Sequence, residues 1–229
     1  MERGDGIGPP GEGPEVTLDR SSLLVRKVCE GDLDAVAELH VQAFPTSVLG
    51  ALGVEAVRRN YQWQLDGPHD LTAIVAEAQG RIVGFLFGGV FRGSTIGFVK
   101  REKWFLARRV VTRPQILLGR IGWKRTALAL RLLVRRPGRP APERPDAVPR
   151  RSFGVLSIAV DPGCQGMGVG RALMAVAKER ATERGFEAMH LSVHPSNQRG
   201  VSFYRGLGWS ESPEPDGKWV GRMSIALDR

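Results

Sequence analysis

The sequence predicts a mixed α/β domain in which helices flank a partly antiparallel central sheet, with a basic helical insert between the third and fourth strands. Three observations carry that expectation. Short β-rich runs alternate with amphipathic helical stretches along the chain. Two apolar runs meet across a short polar connection, as the two arms of a hairpin do. A strand-like run then passes into a helix through a cluster of glycines.

The elements follow in order. SLLVRKV (22–28) is rich in β-formers and supplies the first strand. Asp32 stands where a cap belongs for a helix over LDAVAELHVQAF, in which Leu33, Val36, Ala37 and Leu39 or His40 recur at helical spacing. Pro45 ends that helix, and a second helical stretch runs from about residue 48 to 65. GPHD (67–70) is a turn, and LTAIVAEA and RIVGFLFGGV flank QGR as a hairpin. FGVLSIAV (153–160) reads as a buried strand, and VGRALMAVAKERATERG as a helix closed by Gly185. EAMHLSV is a strand, SNQRGVSFYRGLG a helix ended by Gly206 or Gly208, and KWVGRMSIAL the final strand. The predicted order is β-α-α-β-β-insert-β-α-β-α-β, with room for one further strand at the end.

A chain of 229 residues with 42% hydrophobic residues suits one domain with a packed core, placed over 22–229. Residues 1–21 are rich in Gly, Pro and acid and lack the pattern of a signal peptide, so they read as a disordered tail. Two cysteines, Cys29 and Cys164, exclude a disulfide-rich scaffold and suit a reducing cytosol. No apolar run of 18 residues occurs without charge, which argues against a spanning helix. The expected location is therefore cytoplasmic.

The net charge of +9 comes from one segment: residues 92–151 carry 17 basic and 3 acidic side chains. Its first part looks helical; its second, PGRPAPERPDAVPRR, is rich in proline and charge. On a single helix over 113–135, Arg113, Arg120, Lys124, Arg131 and Arg135 would share a sector of about 60°. Pro114, Gly119 and Gly122 count against one unbroken helix. Such a face is either solvated or attached to an anionic surface, lipid headgroups at the inner face of the membrane or an anionic substrate. Nucleic acid is disfavoured, because the segment carries no recognisable binding motif and few aromatics.

The glycine cluster lies in VDPGCQGMGVGRALM (160–174). Glycine costs conformational entropy, so four in eight positions ask for a close approach of something to the backbone. A strand-to-helix junction of this kind suits a phosphate, because free N–H groups converge there and the helix dipole adds positive charge. The P-loop pattern fails, since Val169 and Gly170 stand where Lys and Ser/Thr belong. The dinucleotide fingerprint fails at Arg171, where its last glycine should be.

What remains is Q-x-x-G-x-G, met by Gln165, Gly168 and Gly170 and followed by Arg171. NQRGVSFYRGLGW (197–209) then matches N-x-x-A-x-x-x-Y-x-x-x-G-F at Asn197, Tyr204 and Gly208, with Gly200 for Ala and Trp209 for Phe. In these two motifs the chain resembles the GNAT family, the Gcn5-related N-acetyltransferases. The segment from Phe44-Pro45 to Tyr61, the basic helical insert and the "LSIAVDP" strand are also loosely similar to acetylases of bacterial polysaccharide clusters.

The resemblance implies an acyl-CoA-dependent N-acyltransferase with acetyl-CoA as co-substrate and no metal. It implies that the pyrophosphate of coenzyme A sits on Gly166, Met167, Gly168, Val169, Gly170 and Arg171, beside Gln165. It places the pantetheine arm along Ile158, Ala159 and Val160, paired like a short strand, and assigns Asn197 a contact with it or a capping role. A neutral amine would attack the thioester directly in a ternary complex, with Tyr204 as the proton donor to the leaving thiolate. A core aromatic is the alternative reading of Tyr204. The base is less defined: Ser192 stands where protein N-terminal acetylases of the family carry Glu, His194 is a weak candidate, and His40 and Glu38 are weaker. The leading expectation is acetylation of a small-molecule primary amine, with an amino sugar as first guess. The alternatives are a protein N-terminal or lysine acetyltransferase, and a non-catalytic coenzyme-A-binding sensor or membrane-associated module.

Overall fold

Seven strands form one sheet in the order β1-β2-β3-β4-β5-β7-β6. The computed structural model describes residues 23–91, 94–112, 151–214 and 216–228. The expected tail at 1–21 and the insert from 113 to 150 lie outside the described residues.

β2 (Asp70–Ala78) and β3 (Arg81–Val90) are antiparallel along their whole length. The turn between them puts Gln79 and Gly80 both at positive φ, the geometry whose twist matches a two-residue hairpin. β1 (Leu24–Lys27) adds to the outer edge of β2. β4 (Ser152–Val160) runs antiparallel to β3, with a bulge: Phe87 opposes Ser157 and Gly88 opposes Val155, which leaves Leu156 over and exposed. β5 (Ala188–Ser192) joins β4 in parallel through three pairs only, Ser152–Ala188 to Gly154–His190. β7 (Arg222–Ala226) and β6 (Ser210–Glu211) complete the far side.

The period-two alternation of the strands feeds two apolar layers. Val75, Phe85, Phe87 and Ala159 face α1 (Leu33–Ala43) and α3 (Val54–Asp66), packing on Leu33, Val36 and Tyr61. Ile74, Leu86 and Phe153 face the other way, onto Leu173 and Ala177 of α6 (Val169–Glu183) and onto Met189. Each fully buried large apolar side chain in these layers contributes roughly 1.5–3 kcal/mol. The C-terminus of α6 closes at Gly185, where Gly185 N–H bonds to Thr182 O and Phe186 N–H to Ala181 O. α7 (Gln198–Arg205) packs Val201 and Tyr204 inward.

Three expectations change. The stretch from 48 to 65 is two helices, α2 (Val48–Ala51) and α3, because Gly53 between them sits at φ +99 and no helix continues through it. Asp32 does not cap α1 with its side chain. A single 3-10 turn precedes the helix, and from its last position the Asp32 carboxylate turns back to accept the Cys29 N–H at 2.8 Å. It also takes both arms of Arg26, at 2.7 and 2.8 Å, and Arg26 bonds to Glu77 at 2.8 Å as well. Arg26, more than the Cys29 amide, holds the Asp32 carboxyl down at about 2. The final strand is also shorter than its apolar run, beginning at Arg222 after Gly221 at φ +99.

Between β3 and β4 the described residues form α4 (Ser94–Arg101) and α5 (Lys103–Thr112). α3 anchors them. The buried Gln64 amide exchanges hydrogen bonds with Ser94 Oγ at 2.7 and 3.0 Å, Trp63 Nε1 donates to Ser94 O at 2.9 Å, and Arg59 pairs with Glu102 at 2.9 Å. Among the described residues, no helix is long and apolar enough to cross a membrane.

Candidate functional site

The parting of β4 and β5 builds the site. After Gly154 and His190 no further pair joins them, so residues 155–160 keep β3 on one side and lose their strand partner on the other. At the base of the opening, His190 Nδ1 and Ser152 Oγ share a 2.7 Å hydrogen bond, and burial holds the imidazole pKa below its ordinary value. Ile158, Ala159 and Val160 all lie on the unpaired stretch. Ala159 is buried, whereas Ile158 and Val160 are half-buried.

The glycine loop continues from Val160. Asp161 accepts the Gly163 N–H at 2.8 Å and opens a short 3-10 turn over Pro162–Cys164. Gln165 Nε2 donates to Val160 O at 3.4 Å, which ties the loop to the strand end. Gly166 and Gly168 have φ of +82 and +91, and a Cβ at either would meet nothing within 4 Å. Backbone shape and open space therefore coincide at both residues, immediately before the N-terminus of α6. A diphosphate fits such a cradle, since the N–H groups of the first helical turn have no intrahelical partner. Val169 and Gly170 have other reasons for their identity. The Val169 side chain is buried in the core, and a Cβ at Gly170 would come 3.2 Å from the Phe203 ring. Met167 packs against the core, and Arg171 is exposed.

α7 supplies the second motif. Asn197 caps the helix, its Oδ1 accepting the Gly200 N–H at 3.0 Å. That cap explains the glycine in the motif: a Cβ at residue 200 would stand 2.8 Å from Asn197 Nδ2 and 3.1 Å from Val193. Tyr204 is 9% exposed, with its ring against Phe203 and Trp209. Burial pushes its phenol up to about 12, so it keeps its proton at neutral pH. Such a group stabilises a thiolate by donating a hydrogen bond, since a thiol near 8.5 is the stronger acid of the two. Tyr204 is thus a core aromatic whose phenol stays protonated.

His194 is exposed and tied into a local turn. Its Nδ1 accepts the Ser196 N–H at 3.2 Å and lies 2.7 Å from Ser196 Oγ. Ser192 ends β5 opposite Arg222 and is exposed. Glu38 is exposed on α1.

The other polar feature lies beneath β4, on the α1–α3 side. Tyr61, 1% exposed, donates to Ser157 Oγ at 3.0 Å and shares a 2.8 Å hydrogen bond with His40 Nδ1. His40 Nε2 reaches Ser47 Oγ at 3.4 Å. Burial lowers the His40 pKa to about 4 and pushes the Tyr61 phenol up, so both groups are neutral at pH 7. Ser157 and Tyr61 carry no motif; the one trace in sequence is a polar residue inside the apolar run FGVLSIAV.

Comparison with known proteins agrees with this geometry. Residues 133–209 match the model of the Acetyltransferase (GNAT) family. The mycothiol acetyltransferase of Cellulomonas flavigena is 34% identical over 74 residues, 32% of this chain and 21% of that protein. The [ribosomal protein bS18]-alanine N-acetyltransferase of Escherichia coli K12 is 36% identical over 58 residues, 25% of this chain and 39% of that protein. The chain thus spans about a fifth and about two-fifths of the length of these two relatives. In fold it is similar to the PaiA N-acetyltransferase of Thermoplasma acidophilum, solved in complex with coenzyme A, with a TM-score of 0.54 at 12% identity over 90% of this chain and 99% of that one. Both motifs lie inside the segment, residues 133–209, that matches the GNAT family model, and the fold around them is similar to that of solved N-acetyltransferases.

Proposed function

We propose that this protein transfers an acetyl group from acetyl-CoA to a primary amine. The observation that carries the reading is one continuous surface: an unpaired strand edge over 155–160 that runs into an open, positive-φ glycine loop at a helix N-terminus. Acetyl-CoA supplies an activated thioester carbonyl. Gly166, Gly168 and the first turn of α6 hold its diphosphate, and Ile158, Ala159 and Val160 pair with its pantetheine arm. Backbone N–H groups of the same strand are fixed donors for charge that develops on the carbonyl oxygen. Tyr204 donates a hydrogen bond to the departing sulfur.

The acceptor in this reading is a small-molecule amine, with amino sugars first. Ser192 in place of a carboxylate speaks against a protein N-terminal acceptor, while the likeness to a ribosomal-protein alanine acetylase speaks for one. A free-thiol assay with acetyl-CoA across amino sugars, polyamines and alanine-starting peptides decides between them. Turnover is expected with amino sugars; turnover with peptides alone would overturn the small-molecule reading. A second reading concerns the basic segment. Trp104 and Val111, each 79% exposed and seven residues apart on α5, stand among Lys100, Lys103 and Arg108. That surface suits an anionic bilayer. Co-sedimentation with anionic vesicles at low salt is the expected result, and its absence would remove the idea.

A further inference from the structure

We propose that Ser157, Tyr61, His40 and Ser47 form a proton relay that carries the acceptor's proton from the acyl-transfer site through the α1–α3 layer to the surface. The proposal rests on the acetyltransferase reading and adds to it the part the motifs leave open, the route of the proton.

The geometry is a continuous line of hydrogen bonds: Ser157 to Tyr61 at 3.0 Å, Tyr61 to His40 at 2.8 Å, and His40 to Ser47 at 3.4 Å. One end is on β4, three residues beyond the last pair with β5, so Ser157 stands on the free stretch where the thioester is expected. The other end is the half-buried N-cap of α2, where Ser47 also accepts the Gly50 N–H at 3.3 Å. Apolar side chains line the path: Phe85 and Phe87 flank Tyr61, and Phe44 lies against His40. Two polar residues so deeply buried call for a function or a compensating network, and this chain ends at the reactive strand.

A neutral imidazole has one donor and one acceptor nitrogen, so the line has two polarities. In one, Ser157 donates to Tyr61, Tyr61 to His40 Nδ1, and His40 Nε2–H to Ser47. In the other, every donor and acceptor is exchanged; the structure holds this one, with Tyr61 donating to Ser157, and the hydroxyls and the ring tautomer return to the first before each proton enters. Passage from the first to the second takes one proton from an ammonium at Ser157 Oγ and releases one from Ser47 to water. The amine is left neutral, and no residue holds charge at the end. The ring must be uncharged for this, because an imidazolium has no lone pair to receive the proton. Its surroundings keep it so. Tyr61 on α3 is the titratable group in contact with it, and the facing residues of β3 and β4, Phe85, Phe87, Ser157 and Ala159, are uncharged. α2 carries no ionisable side chain. Asp34 on α1 and Arg58 on α3 neutralise each other at 2.9 Å.

The test has two arms. In nitrogen-15 imidazole spectra of the whole protein, His40 is expected to be neutral at pH 7; a charged ring would overturn the relay without reference to turnover. In kinetics with whichever amine the wild type acetylates, Tyr61→Phe, Ser157→Ala and His40→Gln are expected to lose at least about tenfold in kcat/KM at pH 7. The loss should vanish at alkaline pH, where the amine arrives already neutral, and Ser157→Thr should restore activity. Ser157→Ala, at a half-buried strand position, keeps the test alive should Tyr61→Phe fail to fold. Equal loss at every pH, or none, would overturn the relay and leave the acetyltransferase reading standing. A wild type inert toward all amines would overturn that reading instead.

Discussion

Glycines on the two sides of β4 stand in opposite surroundings. On the β3 side they are filled in: a Cβ at Gly88 would come 2.3 Å from the Phe153 ring, and one at Gly84 would meet Val169 at 2.9 Å and Leu173 at 3.1 Å. On the other side, Gly166 and Gly168 face open space. The pairing shows the same contrast, with β2 and β3 matched throughout and β4 and β5 joined by three pairs. One glycine set serves packing and the other accessibility. Side chains therefore fill the β3 side of β4, while the sheet opens toward β5 and the glycine loop.

Substitutions separate the two roles. Gly88→Val is expected to cost about 3 kcal/mol or more, by overpacking Phe153, and thermal melts should show it as the largest loss of stability. Gly168→Val should do the reverse. Its αL strain costs only about 1–2 kcal/mol, while coenzyme A affinity falls roughly 100-fold in calorimetry, since the side chain fills the cradle. Comparable losses of affinity and stability in both variants would erase the distinction.

Acid sharpens the comparison by loading the packed side first. The unfolded chain protonates His40 near pH 6.5, whereas the folded protein does so only at about 4. Between those values the unfolded state binds more protons, so stability is intact above pH 6.5 and falls as pH drops toward 4, by roughly 3 kcal/mol at full extent. Asp32, held at about 2 by Arg26, adds a second loss between about pH 4 and 2. Denaturant midpoints across pH should show both windows, and Asp32→Asn should remove the lower one.

On the open side, Tyr204→Phe should slow thiol release about tenfold or more, while coenzyme A affinity changes less than about twofold. An unchanged rate would return Tyr204 to a packing role. The smallest expected effect is at the Asn197 cap: Asn197→Ala should cost about 1 kcal/mol, read from the melting midpoint.

Much of this architecture was legible from local pattern. The hairpin at Gln79–Gly80, the α6 stop at Gly185 and the strand before the glycine loop follow from turn chemistry and periodicity, which act over a few residues. The partners of Asp32 were not legible, because Arg26 and Glu77 reach it from a strand pair whose register no local window contains. Nor was the turn at His194, whose Nδ1 accepts the amide of a residue two positions away.

The sequence alone determined the alternation of strands and helices outside 48–65, the apolar faces and the place of the glycine loop, since each depends on near-neighbour sterics and side-chain period. Tertiary structure alone decided where β4 and β5 part and that residues 40, 47, 61 and 157 meet in one line. Hydrogen bonds between groups more than 90 residues apart, as from Tyr61 to Ser157, exist only once the sheet and its helices have packed.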